Sequence, residues 1–363
     1  MIPIIFASNG LTQWSQYDLT HAEGRLAGAA KCTVKEELNG VFNASLNVPY
    51  VALHASDITR NSIITLRANP YQDLQLFRVS KVGKVMKDGI VNVLLNHISY
   101  DLAKSICEPF TLTGTANLAS YLKNKQMVST AFTFSTDITD TTNTLTVDVP
   151  RSVRDIIGGM DKNVIETFRA EMEWDNGKVY ILDQRGTDRG VTIEDGKNLL
   201  NYEQEDSVAD TFDYVVGYWK DENTVVYSDP SFTNNMSATS KAGLVVDMTS
   251  VWGSTQPSKT MLNNRCTWYR VIEHPEQFKP SITVTADFKS LKKNNQYQLL
   301  ANLEDIRLGD TVQVINRSMG VNLTARVISY EWDVLADEYD SVTIGDFRPS
   351  LDTTISNLMN AVK

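Results

Sequence analysis

Cysteine is scarce. Cys32, Cys107 and Cys266 are the whole supply in 363 residues. They are far apart and odd in number, and no CxxC occurs. That pattern excludes a disulfide framework and a zinc knuckle, and reads as three reduced, buried thiols. Histidine is nearly as thin: His21, His54, His97 and His274 form no HExxH or other paired ligand spacing. No metal ligand set and no cofactor site is therefore expected. Clustered Lys and Arg, which hold nucleic acid by releasing counterions, are missing too. Lys292-Lys293 is the nearest thing. With a net charge of −10 and a pI near 5.0, stable binding of nucleic acid is not expected. An acidic wall that DNA slides past is compatible with that balance. No window approaches the roughly 18 apolar residues of a membrane span. The N-terminus, MIPIIFASNG, puts no basic segment ahead of its short apolar run, so no secretory signal is expected.

What is present is ordinary bulk and many strand signals. The length allows two to four domains, and an apolar fraction of 42% is that of a globular protein. The stretch from Val179 to Gln204 is the centre of the pattern. Val179, Ile181 and Asp183 alternate with Tyr180 and Leu182, as in a strand. Gly186 and Gly190 bracket a tight connection. Val191 and Ile193 then alternate with Thr192 and Glu194, as in a second strand. Asp195-Gly196 is a further turn signal. A phosphate cradle fails here on spacing. A P-loop needs four residues between its glycines and Ser or Thr after its Lys. Five residues separate Gly190 from Gly196, and Asn198 follows Lys197. The stretch reads as two turns of a sheet.

Residues 1–102 read as mostly strand. Cys32 to Leu38 and Phe42 to Val48 flank Asn39-Gly40, the strongest short hairpin signal. Gln75 to Val85 and Ile90 to Tyr100 follow, joined by Lys87-Asp88-Gly89. In the latter, Val91, Val93 and Leu95 face one way, and Ile90, Leu94 and Ile98 the other. A strand apolar on both faces is covered on both sides, which suggests a barrel with something packed outside it. Residues 103–198 read as a small α+β unit. Thr115 is placed to cap a helix carrying Leu118, Tyr121 and Leu122, and Pro150 to Ile157 reads as a second short helix. Val164 to Trp174 and Lys178 to Leu182 read as strands around Asp175-Asn176-Gly177. Leu199 to Tyr227 returns to strand, and Asp229 to Asn264, rich in Ser, Thr and Asn, reads as irregular. Ile282, Val284 and Ala286 resume a strand, Gln298 to Leu303 suggests a helical turn, and Gly309-Asp310 turns within Ile306 to Ile315. In the long strand Val321 to Val334 the apolar face switches at Val327-Ile328, which predicts a bulge or burial on both sides. Asp340 to Gly345 closes a hairpin with it. Ile355, Leu358, Met359 and Val362 sit at helical spacing in a terminal helix too short to stand alone.

Three blocks, in order along nearly the whole chain, resemble siphophage tail-tip proteins, the phage minor structural or prophage tail-endopeptidase family. The first is Asn96-His97-Ile98-Ser99-Tyr100-Asp101-Leu102. The second is Arg185-Gly186 and Asp188-Arg189-Gly190, then Gly196-Lys197-Asn198-Leu199. The third is Ile306-Arg307-Leu308-Gly309-Asp310-Thr311-Val312, followed by Ala325-Arg326-Val327-Ile328-Ser329-Tyr330-Glu331. The resemblance implies the fold of the baseplate hub of contractile-tailed phages: mainly β with α+β insertions, and two tube-like antiparallel β-barrels per chain plus smaller peripheral domains. Residues 1–102 would form the first barrel, and 199–228 with 275–348 the second. Residues 103–198 would be the peripheral domain, 229–274 an irregular insertion docking with it, and 349–363 a C-terminal helix. The resemblance also implies a homotrimer, a pseudo-sixfold ring on a hexameric tail tube. Its partners would be the distal tail protein, the tail tube or tape-measure proteins, and receptor-binding proteins. DNA would pass through the lumen without stable binding. The place implied is the tail tip of the virion, after synthesis in the bacterial host cytoplasm. Two departures stand out. The helix that many members carry before the strand matching Ser281 to Asp287 is here a short, Pro-bounded region. Longer members continue into a peptidoglycan-cleaving domain, whereas this chain stops at Lys363, with nothing expected to hold that chemistry.

The leading expectation is thus a structural hub. The alternatives are a tail-associated cell-wall-degrading enzyme and a carbohydrate-binding receptor protein. Against the enzyme, there is no GxSxG, no HExxH and no Cys/His signature, so no catalytic residue is assigned. Glu36-Glu37 and Asp337-Glu338 sit in turns or alternate across strands, and read as solvated charge rather than a paired acid and base. Trp14, Trp219, Trp252 and Trp268 offer rings able to stack on a sugar, but such residues in β-rich proteins are more often core or interface.

Overall fold

The structure, a computed structural model, describes residues 1–7, 14–85, 89–194, 199–207, 211–233, 242–278, 281–288, 306–317 and 321–345. It divides into two compact units, residues 1–202 with 285–363, and residues 203–284. The segments read from sequence at 195–198, 298–303 and 349–363 lie outside the described residues.

The N-terminal strands are β1 (Ile4–Phe6), β2 (Gly24–Arg25), β3 (Lys31–Glu37), β4 (Phe42–Pro49), β5 (Ile63–Leu66), β6 (Gln75–Val85) and β7 (Ile90–His97). Their period-2 pattern puts Cys32 and Val34 of β3, and Phe42, Ala44, Leu46 and Val48 of β4, into one core. Asn39-Gly40 makes the hairpin between them, with Asn39 at φ 54°. Val91, Val93 and Leu95 of β7 are buried, but Leu94 on the opposite face is 50% exposed. Contrary to the sequence pattern, nothing among the described residues covers that face at Leu94. The strand also stops at His97; Ile98 begins a 3-10 turn, Ile98–Lys104, and is buried there.

The next region holds β8 (Ile106–Cys107), β9 (Phe110–Thr113), α1 (Leu118–Asn124), β10 (Thr133–Thr136), β11 (Thr144–Val147), β12 (Arg151–Ser152), α2 (Val153–Gly158), α3 (Val164–Phe168), β13 (Glu171–Asp175) and β14 (Lys178–Leu182). Asn117, not Thr115, precedes α1; the Thr115 hydroxyl instead donates to the Ile138 carbonyl. Helix α2 begins under Ser152, whose Oγ accepts from Asp155 N at 3.0 Å. Val164 to Phe168, expected as strand, is helical. Asn163 Oδ1 accepts from Glu166 N at 3.0 Å, and Glu166 reaches back to Lys162 N at 2.8 Å. That reciprocal cap outweighs the β-branched Val164 and Ile165. The Asp175-Asn176-Gly177 hairpin forms as expected, pairing β13 with β14, and β10 adds to β14 in parallel.

The remaining strands are β15 (Asp188–Glu194), β16 (Leu199–Ser207), β17 (Tyr214–Lys220), β18 (Val225–Tyr227), β19 (Ser231–Phe232), β20 (Gly243–Asp247), β21 (Ser281–Phe288), β22 (Thr311–Asn316), β23 (Val321–Asp333) and β24 (Glu338–Gly345). The long β23 pairs with β22 along its first half and with β24 along its second. Its register against β24 shifts between Val327 and Ser329, so the face switch is indeed a bulge at Ile328. On its other side, Ser329 to Asp333 pair with Glu37 to Thr33 of β3. The result is one continuous 13-stranded sheet, ordered β16-β21-β24-β23-β3-β4-β7-β6-β5-β1-β2, with β22 and β15 on a branch. Two separate barrels were expected; instead the N- and C-terminal segments share a sheet. The physical reason is that β3 has β4 on one edge only, and β23 is long enough to satisfy the other.

The second unit also departs from expectation. Tyr214–Tyr227, read as part of a second barrel, lies in a four-stranded sheet in which β17 pairs β18, β19 and β20. Two of these strands come from the segment expected to be irregular. Helices α4 (Thr249–Trp252) and α5 (Lys259–Trp268) follow. Ser258 caps α5 through Met261 N. Val215, Trp219, Met248, Leu262, Cys266 and Phe278 form this unit's core. Gly217 is required there, because a Cβ would stand 2.6 Å from the Met248 sulfur and 2.8 Å from that of Cys266.

Candidate functional site

The most tightly built polar feature is a junction where the connection from β14 to β15 crosses the turn before β22. Two glycines make the crossing possible. Gly186 has φ 79° and Gly309 has φ 87°. A Cβ on Gly186 would lie 2.3 Å from the Gly309 carbonyl carbon, and one on Gly309 would lie 2.2 Å from the Arg185 carbonyl oxygen. Only residues without a side chain let these backbones approach.

Charged side chains fasten the crossing. Arg185 is 7% exposed, and its Nη1 donates to Glu36 Oε1 at 2.7 Å and to the Met172 carbonyl at 3.2 Å. Glu36, fully buried on β3, also accepts from the Tyr330 hydroxyl of β23 at 2.5 Å. Glu171 of β13 accepts from the Arg185 backbone N at 2.7 Å and from both Nη atoms of Arg326, at 2.6 and 2.8 Å. Arg326 closes the loop by donating to the carbonyls of Arg185 and Gly309, at 2.7 and 3.0 Å. Asp310, also buried, accepts from Thr187 N, Arg307 N and Arg189 Nε at 2.8, 2.9 and 2.9 Å. Burial works against the Arg185 charge, but Glu36 and Glu173 nearby, with the hydrogen bond to Glu36, together hold its pKa above the usual guanidinium value. Burial, reinforced by the charge of Glu36, pushes the Tyr330 phenol well above its usual range, so it stays a donor. Each carboxylate is matched by geometry, which lets buried charge persist.

The junction brings the second and third resemblance blocks into direct contact. The first block sits elsewhere in the same unit. His97 is buried against Phe42, ring centroids 4.2 Å apart, and its Nδ1 accepts from Ser99 N. Burial, and next the charge of Arg154, drives its pKa well below the ordinary histidine value. Asp101 takes a bidentate pair from Arg78, at 2.9 and 2.6 Å.

Glu36 was read from sequence as solvated charge, and the structure corrects this. It shares the inward face of β3 with Cys32 and Val34, while only Glu37 points outward. The alternation was visible in the sequence; the buried partner Arg185, far along the chain, was not. Glu171, which sequence reasoning missed, is 5% exposed on β13. Asp337 sits in a turn, facing Arg67 at 3.5 Å. The tryptophans do not gather: Trp219 is core, Trp14 packs on Phe132 and Gly177, Trp252 packs against the second unit's core, and Trp268 is 55% exposed. Among the described residues no group of three or more His, Cys, Asp or Glu is placed to hold a metal ion. All three cysteines are buried thiols, and burial pushes Cys32 up to about 12. No helix among the described residues is long and apolar enough to cross a membrane.

The architecture is that of phage tail proteins. The structure resembles prophage tail protein gp18 from Listeria monocytogenes EGD-e, with a TM-score of 0.56 and 12% identity over 100% of this chain and 99% of that one. It also resembles the 43 kDa tail protein of prophage MuSo2 from Shewanella oneidensis, with a TM-score of 0.63 and 10% identity over 96% and 99%. A tail protein from Neisseria meningitidis MC58 gives a TM-score of 0.60 at 7% identity over 95% and 96%. By sequence, residues 268–355 match the family Prophage endopeptidase tail. No curated protein matches in sequence. The matched residues carry the third block, including Asp310, Arg326 and Tyr330.

Proposed function

We propose that this chain is a structural subunit of a phage tail tip: a hub that forms a trimeric, pseudo-sixfold ring, continues or closes the tail tube, and lets DNA pass. The observation that carries the reading is the pairing of β3 with β23, which builds one large sheet from the two ends of the chain. Such a sheet is suited to be a wall segment, and its full-length likeness to tail proteins supports the same reading. The junction supports it too, because Arg185 with Glu36 and Arg326 with Glu171 fasten strands from distant parts of the chain to one another. The likeness to tail proteins supports a non-enzymatic role, although the matching family is named for an endopeptidase. The proposed partners are two further copies, the distal tail protein, the tail tube or tape-measure proteins, and receptor-binding proteins, at the tail tip of the virion. The net charge of −10 favours a lumen that repels phosphate, so that DNA slides rather than binds. Electron-microscopy class averages of the purified full chain test the proposal. Rings with threefold symmetry are expected; particles without rotational symmetry, alone and with the distal tail protein, would overturn it.

A further inference from the structure

Beside the junction lies a polar cavity of about 190 Å³. Arg185, Arg189, Arg307, Tyr330, Gln72 and a single acidic residue, Glu173, are among the residues that line it. Hydrogen-bonding capacity around it is unequal. The carboxylates behind the arginines are occupied. Glu36 takes Arg185 and Tyr330; Asp310 takes Thr187, Arg307 and Arg189. A guanidinium has five N–H donors and no acceptor. Arg185 uses its side-chain Nη1 only, for Glu36 and Met172. Its Nε and Nη2 donors have no acceptor among the described residues. Arg189 likewise uses Nε only. Arg185 is 7% exposed, so few waters reach its spare donors. Glu173 is drawn aside toward Gln72, whose Nε2 stands 3.4 Å from its Oε1.

We propose that this cavity binds one small oxyanion, of the phosphate or carboxylate type, held by Arg185 and Arg189 with Arg307 alongside. Such an ion offers only acceptors, and planar guanidinium forks match its paired oxygens. The space, about 190 Å³, admits a small ion. Glu36 pairs with Arg185 and Asp310 with Arg189, and Glu173 adds a further negative charge near Arg185. The ion is therefore held by spare oriented donors more than by net charge, and weak binding, about millimolar, is expected. The inference does not depend on ring assembly, since every residue named lies in one unit of one chain.

The test uses the full chain and inorganic phosphate. Melting temperature and titration heat are recorded against sodium phosphate at constant ionic strength, with sodium chloride as the reference and sodium acetate as a second arm. A saturable rise above chloride is expected, since an ion that binds only the native state stabilises it. Arg189→Gln and, separately, Arg307→Gln should weaken that binding about tenfold or more. Using two variants keeps the test readable if one fails to fold. A response to phosphate alone assigns a phosphate-type guest, and an equal response to acetate assigns a carboxylate. The proposal is overturned if phosphate and chloride act alike, or if both folded variants bind as the natural chain does.

Discussion

At the residue scale, the junction turns on groups that tolerate no change of type. Breaking the Glu36–Arg185 pair from either side leaves a charge buried without its partner, which costs about 3–5 kcal/mol. Glu36→Ala and Arg185→Ala should each lower the stability of the larger unit by that order, measured as the shift in its urea transition. A loss below about 1 kcal/mol would mean that water replaces the partner. The glycines give a sharper contrast. Gly309 and Gly190 both have positive φ, at 87° and 71°. A Cβ at Gly190 meets nothing within 4 Å, whereas one at Gly309 meets backbone. Gly190→Ala should cost about 1 kcal/mol, from left-handed strain alone. Gly309→Ala should cost well over that, because the crossing itself must open. Equal melting temperatures for the two variants would contradict the close approach.

His97 belongs to the same scale. Its folded pKa lies below the unfolded value of about 6.5, so the unfolded chain binds the extra proton first. The stabilisation from a neutral His97 is complete above that pH and declines as pH falls through it. The slope approaches about 1.4 kcal/mol per pH unit. Denaturation midpoints should fall between pH 7.5 and 5.5, a window chosen to lie above ordinary carboxylate titration. His97→Gln should flatten the dependence, and an unchanged slope in that variant would place the titration elsewhere.

At the scale of elements, α3 shows what sequence reading can and cannot reach. Helix formation there rests on Asn163 and Glu166, an N-terminal cap spaced three residues apart, which was present in the sequence but hidden by the β-branched run after it. Asn163→Ala should cost about 1 kcal/mol, read from the same urea transition, with Glu166→Gln closer to neutral because an amide oxygen still accepts. The hairpins at Asn39-Gly40 and Asp175-Asn176-Gly177 were legible because a turn is specified by adjacent residues. The bulge at Ile328 was legible because a period-2 pattern changes phase there. Which strand pairs with which was not legible. The β3–β23 pairing joins residues about three hundred positions apart, and no local pattern encodes it. The same limit explains why Glu36 looked solvated and why the strands of the second unit were assigned to a barrel. Local chemistry sets element type and inward face, while long-range satisfaction of edges and charges sets the topology. The resemblance blocks supplied part of that missing information, since two of the three proved to touch.

At the scale of the whole molecule, the sheet's open ends decide the last prediction. Among the described pairings the sheet runs as one path with one branch, ending at β2 and β16. Strand edges left unpaired among the described residues, together with the half-exposed Leu94, invite association. Closed rotational symmetry satisfies such surfaces by repeating one heterologous contact until the ring shuts. Light scattering behind size exclusion should therefore give the mass of three chains at micromolar concentration. Contacts made by strand edges and apolar side chains are little screened, so the mass should persist in about 1 M salt, where the Debye length is roughly 3 Å. A duplex added to the ring at low salt should not be retained, because an acidic surface releases no counterions to gain binding. A chain that stays monomeric at every concentration, with and without its tail partners, would remove the ring. A trimer that retains duplex DNA at physiological salt would leave the ring standing and remove the sliding lumen, since the wall would then carry Lys and Arg where repulsion is required.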